Sequence, residues 1–291
     1  MNFPPGAHEP DPIKRFPMSR KTGTFTAIIL AADRSAGDPV AEKTGAPCKS
    51  LSPVGGIPMV LRVIKALENA DEVDSCILCG PSREIIDQSP ELSRALDQDN
   101  IRWLPNRETP STSTYEALRH VDRGKPVLVT TADHALLTPE IVDYFCSRAR
   151  RTDYDLAVAL APYEMLQEAF PGCRRTVTRL KDGGFCTCNL FAFLTPESHS
   201  AANFWRRVEQ QRKKPLRIIG ICGWMTVLRF LLGQLTLEEA LRRIARRMGL
   251  KAGAVMMVQP EAAVDVDTVE DLILASKIIA DRDEKAPPAG D

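Results

Sequence analysis

Lys49, Asp133, Asp265 and Asp267 are the residues whose types and settings could do phosphate chemistry. Lys49 belongs to the stretch Cys48-Lys49-Ser50-Leu51-Ser52-Pro53-Val54-Gly55-Gly56-Ile57-Pro58-Met59, which closes a small-residue loop following the apolar run Phe25 to Leu30. A strand, a loop of that size and a helix start suit a triphosphate, because backbone N–H groups can face the anion while a lysine adds a point charge. Asp133 ends a second apolar run, Val127-Leu128-Val129-Thr130-Thr131-Ala132-Asp133, just ahead of Thr138-Pro139, a helix start. A carboxylate at a strand's carboxyl edge can hold Mg²⁺ against phosphate oxygens, and it can equally be a turn or cap residue. His134 beside it reads as a turn residue rather than a catalyst. Asp265 and Asp267 stand two apart on an extended segment, so both carboxylates share a face, where a divalent ion would relieve their repulsion. The competing use of Asp267 is a helix N-cap, with Glu270 as its capping-box partner.

Two further places carry polar groups toward the same region. The loop Pro105–Ser113 follows one strand and precedes a helix, so Ser111, Thr112 and Ser113 could bond a base or ribose, or serve as N-caps. Asn189 in Cys188-Asn189-Leu190-Phe191 could face an acceptor, or could satisfy backbone groups inside the fold.

The elements that must position these residues are legible as alternating runs. Strands are predicted at Thr26–Leu30, Ser75–Cys79, Ile101–Leu104, Val127–Thr131 and Leu156–Leu160, with helices at Pro58–Asn69, Thr112–Val121 and Pro139–Arg150. Short apolar runs between amphipathic segments imply an α/β fold: three layers, a mostly parallel twisted sheet with helices on both faces. The loops after Leu30, Leu104 and Thr131 should then converge at the carboxyl edge of the sheet, where such folds bind ligands. Lys181-Asp182-Gly183-Gly184 marks a hairpin between Arg174–Leu180 and Phe185–Phe193. Helices follow at Glu197–Gln211, Gly223–Leu232 and Thr236–Met248, then strands at Ala254–Val258 and Ala263–Val266 and a helix at Thr268–Ala280. This pattern reads as one nucleotide-binding domain over 25–283, with an inserted acceptor-side lobe at 162–250. Residues 1–24 read as a flexible tail and 284–291 as a loose one.

Composition narrows the function classes. The chain has 291 residues, 44% of them hydrophobic, enough for one sizeable core. Lys+Arg and Asp+Glu both total 38, so nothing global favours a nucleic-acid partner. The basic runs Arg206-Arg207, Arg212-Lys213-Lys214, Arg242-Arg243 and Arg246-Arg247 read as solvated helix faces. Cys76 and Cys79 sit in one apolar strand with side chains on opposite faces, and Cys186-x-Cys188 lacks a second ligand pair, so most of the eight cysteines read as buried thiols of a reducing compartment. With no apolar leader segment at the start, the expected location is cytoplasmic. The stretch Ile218–Leu232 is shorter than the ~20 residues of a bilayer span and is interrupted by Arg229. The expectation is a buried helix, the alternative an interfacial surface with weak membrane contact.

Together these motifs resemble the MobA-like nucleotidyltransferases, which share the glycosyltransferase-A-type nucleotide-binding fold. The family's opening motif, L-A-A-G-x-x-x-R-M-G, then K, then L-x-x-x-x-G-x-P-M, is matched by Leu30-Ala31-Ala32, Lys49, Leu51, Gly56, Pro58 and Met59. Asp133 in Thr130-Thr131-Ala132-Asp133-His134 looks like the family's metal-binding Asp. Asp265-Val266-Asp267-Thr268 is similar to its second metal-binding segment, and Asn189-Leu190-Phe191 to its acceptor-side strand. The resemblance implies transfer of a nucleotidyl group from an NTP to a phosphorylated small-molecule or lipid-linked acceptor with release of pyrophosphate. It implies nucleotide binding by Leu30, Ala31, Ala32, Arg34, Lys49 and the Ser111–Ser113 loop, Mg²⁺ on Asp133, Asp265 and Asp267, and acceptor contact by Asn189. Asp33 stands where the family has its first loop glycine, and Arg34 is displaced from the usual arginine position. The alternatives are a metal-dependent glycosyltransferase using a nucleotide-sugar and a non-catalytic nucleotide-binding protein.

Overall fold

The structure is a computed structural model that describes residues 25–31, 37–97, 100–211 and 223–285. Its strands in chain order are β1 (Phe25–Leu30), β2 (Pro53–Val54), β3 (Ile57–Pro58), β4 (Val73–Cys79), β5 (Ile101–Leu104), β6 (Val127–Thr131), β7 (Leu156–Pro162), β8 (Thr178–Leu180), β9 (Gly183–Phe193) and β10 (Ala252–Met256). The helices are α1 (Pro39–Thr44), α2 (Met59–Asn69), α3 (Arg83–Ile86), α4 (Pro90–Leu96), α5 (Pro110–Leu118), α6 (Pro139–Arg150), α7 (Tyr163–Ala169), α8 (Ser200–Gln211), α9 (Trp224–Leu231), α10 (Leu237–Met248) and α11 (Val269–Lys285).

An eight-stranded sheet runs in the order β10-β7-β9-β6-β1-β4-β5, with β8 paired on β9. β1 pairs in parallel with β4 and β6, β4 with β5, and β7 with β10. β9 is antiparallel to both β6 and β7, so the segment 162–250 supplies a central strand of the sheet. β1 shows why the centre forms: all six residues of Phe-Thr-Ala-Ile-Ile-Leu are buried, Ala27 and Ile29 toward one layer, Ile28 and Leu30 toward the other. Helices α2, α6 and α11 cover the first face with residues such as Leu67, Phe145 and Ile279, and α5 and α8 cover the second with Leu118 and Ala202. This is the three-layer α/β architecture anticipated from the alternating runs.

Several boundaries differ from expectation. The hairpin turn is Lys181-Asp182 alone, since Leu180 pairs with Gly183, and β8 begins at Thr178 rather than Arg174. Ala263–Val266 is no strand: Pro260–Ala263 closes a tight helical turn and the chain continues irregularly to α11. A proline at the first position and apolar anchors at Ala262 and Ala263 favour that turn over ladder pairing. α11 continues to Lys285, beyond the expected end at Ala280, and takes in the start of the expected loose tail. The described part of the 218–232 stretch, α9, is not a buried helix: only Thr226 is buried, while Trp224, Met225, Leu228, Phe230 and Leu231 are exposed. Val227 and Phe230 border an apolar cavity shared with Phe185 of the sheet, and Trp224 and Met225 line a cleft with Arg243, Arg246 and Arg247. The seven cysteines of the described residues are buried free thiols, with Cys76 and Cys79 in opposite layers as the strand alternation requires. Burial pushes the Cys79 thiol up to about 12.

Candidate functional site

The site is assembled at the carboxyl edge of the parallel strands. There β1 hands on to Ala31, β4 to Gly80 and β5 to Asn106. Gly80 adopts φ +79°, and a Cβ on it would lie 3.2 Å from the Asn106 Cβ and 3.4 Å from the Ala31 carbonyl oxygen. Close approach of three strand ends therefore requires glycine at this position. β6 runs into a turn that holds Asp133, and Thr138 caps α6 behind it by accepting from the Ile141 N–H at 3.4 Å. The Asp133 carbonyl accepts from the Val266 N–H at 3.0 Å, which fixes the acidic C-terminal segment against the end of β6.

Lys49 opens a tight turn, Lys49–Leu51, and reaches across this edge. Its Nζ donates to Asp133 Oδ2 at 2.9 Å and to Asp267 Oδ1 at 2.6 Å, joining stretches 84 and 218 residues away in sequence. The Lys49 side chain is only 18% exposed, whereas that of Asp267 is 62% exposed. Burial works against the ammonium charge, but Asp133 and Asp267 outweigh it and hold the group protonated well above the ordinary lysine range. The same balance runs in reverse for Asp133: burial opposes its charge, Lys49 outweighs burial, and the carboxyl titrates below its ordinary value. His134 is buried next to it and is pushed down to about 4 by desolvation, so it is neutral at pH 7 and fits the turn role.

A second cluster lies behind the first. Arg175 donates through Nη1 to Asp265 Oδ1 and through Nη2 to the Asp265 carbonyl at 2.5 Å, and its Nη2 lies 3.3 Å from Asp271 Oδ1. Asn189 Nδ2 donates to Asp265 Oδ2 at 2.8 Å. Asn189 has φ +49° and sits where the β7–β9 register shifts, so a bulge turns its amide toward Asp265. Asn tolerates this left-handed conformation better than most residues. For Asp265, burial outweighs Arg175, and the neighbouring Asp133 and Asp267 charges add to it, so the carboxyl rises from 3.8 to about 6.

The predicted residues thus separate into groups. Lys49, Asp133, Asp265, Asp267 and Asn189 come together. Asp265 and Asp267 do not aim their carboxylates at one partner, as the alternation on a strand had suggested: the segment is irregular, and each side chain meets its own cation. The cap of α11 is also shifted by one residue. Asp271 Oδ2 accepts from the Thr268 N–H at 2.9 Å and Thr268 Oγ1 accepts from the Asp271 N–H at 3.2 Å, so Thr268 and Asp271 form the box expected of Asp267 and Glu270. Ser111, Thr112 and Ser113 are drawn into the start of α5 instead of facing outward. Ser111 is buried and donates to Glu209, Ser113 Oγ accepts from the Arg107 N–H at 2.9 Å, and Thr112 N–H donates to the Thr109 cap at 3.2 Å. Leu30 and Ala31 are buried at the end of β1. Ala32, Asp33 and Arg34 lie outside the described residues. Arg175 and Asp271 escaped sequence reasoning, because Cys173-Arg174-Arg175 has no spacing signal. The excess of carboxylates over Lys49 was the one hint that another cation was needed.

Asp133 Oδ1 is buried and accepts no hydrogen bond among the described residues. An acceptor of that kind fits a divalent cation of the sort held by one or two carboxylates together with phosphate oxygens. No three His, Cys, Asp or Glu side chains among the described residues form a cage that would hold an ion unaided.

Comparison with known proteins bears on this edge. A hypothetical transferase from Thermus thermophilus is 33% identical, with a TM-score of 0.71, over 86% of this chain and 99% of its own. A CMP:2-keto-3-deoxy-manno-octonic acid synthetase complexed with CTP (11% identity, TM-score 0.54, 89% of this chain and 100% of its own) shares the fold. So does the 4-diphosphocytidyl-2C-methyl-D-erythritol synthase of Anaerococcus prevotii (14%, 0.51, 89% and 98%). No curated protein matches the chain. The MobA-like NTP transferase domain matches residues 27–252, a range that contains Lys49 and Asp133 and stops short of the acidic pair that folding delivers to them. With most of its length inside that match, the chain belongs to the MobA-like NTP transferase family.

Proposed function

We propose that this chain transfers a nucleotidyl group from an NTP to a phosphorylated small-molecule or lipid-linked acceptor. An acceptor phosphate oxygen attacks the α-phosphorus, the bond from that phosphorus to the β-phosphate bridging oxygen breaks, and pyrophosphate leaves with the electron pair. The observation that carries this reading is the Lys49 ammonium held at the strand edge between Asp133 and Asp267. Lys49, charged throughout the physiological range, would turn from its carboxylates to the triphosphate and offset charge growing on the α-phosphate. Asp133, Asp267 and Asp265 would hold Mg²⁺, which when bound supplies Lewis-acid stabilisation of the phosphate oxygens. Arg175 and Asn189 keep Asp265 at a fixed orientation, and Asp271 keeps the Asp267–Thr268 backbone in place. Catalysis of this kind rests on positioning and electrostatics, so it calls for no covalent nucleophile. The test is pyrophosphate release from the four NTPs, each with Mg²⁺ and a panel of sugar, polyol and lipid-linked phosphates. CTP comes first because the two cytidylyl neighbours share the fold. Turnover with one pair supports the reading. Thermal stabilisation by an NTP without turnover would point to a binding protein, and transfer from a nucleotide-sugar to a glycosyltransferase.

A further inference from the structure

We propose that β10 pairs antiparallel with β10 of a second copy of this chain, so that two sheets join edge to edge across a two-fold axis. β10 ends the sheet and has β7 as its one neighbour among the described residues. In such a ladder the backbone groups of successive residues face the neighbour and the outside in turn. The Lys251 carbonyl accepts from the Leu156 N–H at 3.2 Å, and the Met257 N–H donates to the Leu160 carbonyl at 2.8 Å. Ala252, Ala254 and Met256, of the other parity, therefore turn their N–H and C=O groups outward. The Tyr144 hydroxyl on α6 meets one of them, donating to the Met256 carbonyl at 3.3 Å. The opposite end of the sheet is protected: β5 has four residues, carries Arg102 and runs into Pro105. Residues 252–258 hold no proline and no charge, and the β7–β10 register runs without a bulge. Val258, just past the strand, is 60% exposed. An edge of that kind is a template for another strand.

Charge complementarity selects the strand. A cleft of about 520 Å³ runs beside this edge, lined by β10 and α10. Residues 249–251 turn the chain back from α10 into β10, so the two elements pass along the cleft in opposite directions. Acids stand at one end: Asp182, which accepts from the Leu237 N–H at 3.0 Å, and Glu238, 88% exposed. Bases stand at the other: Arg246 in the last turn of α10, and Lys251, whose ammonium lies 3.0 Å from Asp153. A two-fold axis at Ala254 inverts one cleft on the other. It sets Ala254 against its own copy and Ala252 against Met256, which closes the outward backbone groups in reciprocal bonds. It also carries the acidic end of each cleft to the basic end of the other. Any extended strand could satisfy the edge backbone, whereas the inverted copy satisfies its charges as well.

Analytical ultracentrifugation of the full-length chain, with hydrogen exchange alongside, tests the proposal. Wild type should be a dimer at about 50 μM, with the amides of 252–256 exchanging slowly there and faster on dilution to monomer. Ala254→Pro removes an outward N–H and leaves the β7 ladder intact. It should raise the dimer dissociation constant about 100-fold or more and melt as dilute wild type does. Glu238→Arg and Arg246→Glu should each raise that constant about tenfold, and the two together should restore it. Should Ala254→Pro melt early, the charge exchange still decides. A wild-type monomer at about 50 μM would overturn the proposal and leave the edge to a segment of another protein. A dimer that well-folded Ala254→Pro does not weaken, or whose two charge changes fail to compensate, would overturn it too, since the copies would then meet elsewhere.

Discussion

Two cation–carboxylate clusters stand side by side at the sheet edge, and they are built differently. The Lys49 cluster is half open: its ammonium joins a sheltered Asp133 to an Asp267 that is 62% exposed. The Arg175 cluster is closed: the guanidinium is 8% exposed, Asp271 10%, and Asn189 completes the ring of donors around Asp265. Lysine, a compact ion on a flexible stem, can exchange carboxylate for phosphate. Arginine, with a planar fork seated on two acids and a carbonyl, fixes geometry. The difference separates a group placed to meet a ligand from one placed to hold the scaffold.

Substitutions can break or sharpen that contrast. Arg175→Ala should cost about 3–5 kcal/mol of folding stability in urea titration, because Asp265 and Asp271 lose a buried partner. Lys49→Ala should cost less, about 1–3 kcal/mol, since Asp267 can turn to water and only Asp133 loses a sheltered partner. Equal losses would erase the distinction. Lys49→Ala should instead lower kcat/KM for the NTP about 10²–10³-fold in a pyrophosphate-release assay, and unchanged kinetics would remove Lys49 from the site. A third effect concerns pH. Asp265 is more basic when folded, about 6 against an ordinary 3.8, so it binds protons more readily in the native state. Its stabilising contribution is complete below about pH 4 and is lost as pH rises through about 6. The stability of wild type relative to Asp265→Asn should therefore fall across that window, and a flat difference would show that Arg175 compensates burial fully. The smallest change is expected for Thr268→Ala, about 1 kcal/mol from the lost cap of α11 in thermal unfolding. A loss several times larger would mean that the cap also supports Asp267.

The sheet was legible in the sequence because apolar runs such as Phe25–Leu30 and Val127–Thr131 can be buried only between two layers. The residues that end them, Asp133 among them, fall by necessity at the ligand-binding edge. What stayed hidden is tertiary. No local pattern shows that Arg175 crosses 90 residues to Asp265, or that Asn189 enters a left-handed bulge to reach the same carboxylate. Ser111 and Ser113 look alike as base contacts or as cap residues until Glu209 on α8 is seen to accept from Ser111. The short helices α1, α3, α4 and α7 lie in windows too brief for a period to emerge. In α9 hydrophobicity was read as burial, whereas among its described residues only Thr226 is buried.

The antiparallel β9 joins β6 to β7 and thereby welds two parallel blocks, β5-β4-β1-β6 and β7-β10, into one sheet. On a translating ribosome the open flank of β6 must therefore wait for roughly 60 further residues, several seconds at ordinary elongation rates, before its neighbour emerges. Nascent chains paused in that interval carry an unpaired ladder that chaperones would be expected to shield, and closure of the sheet becomes a late event of synthesis.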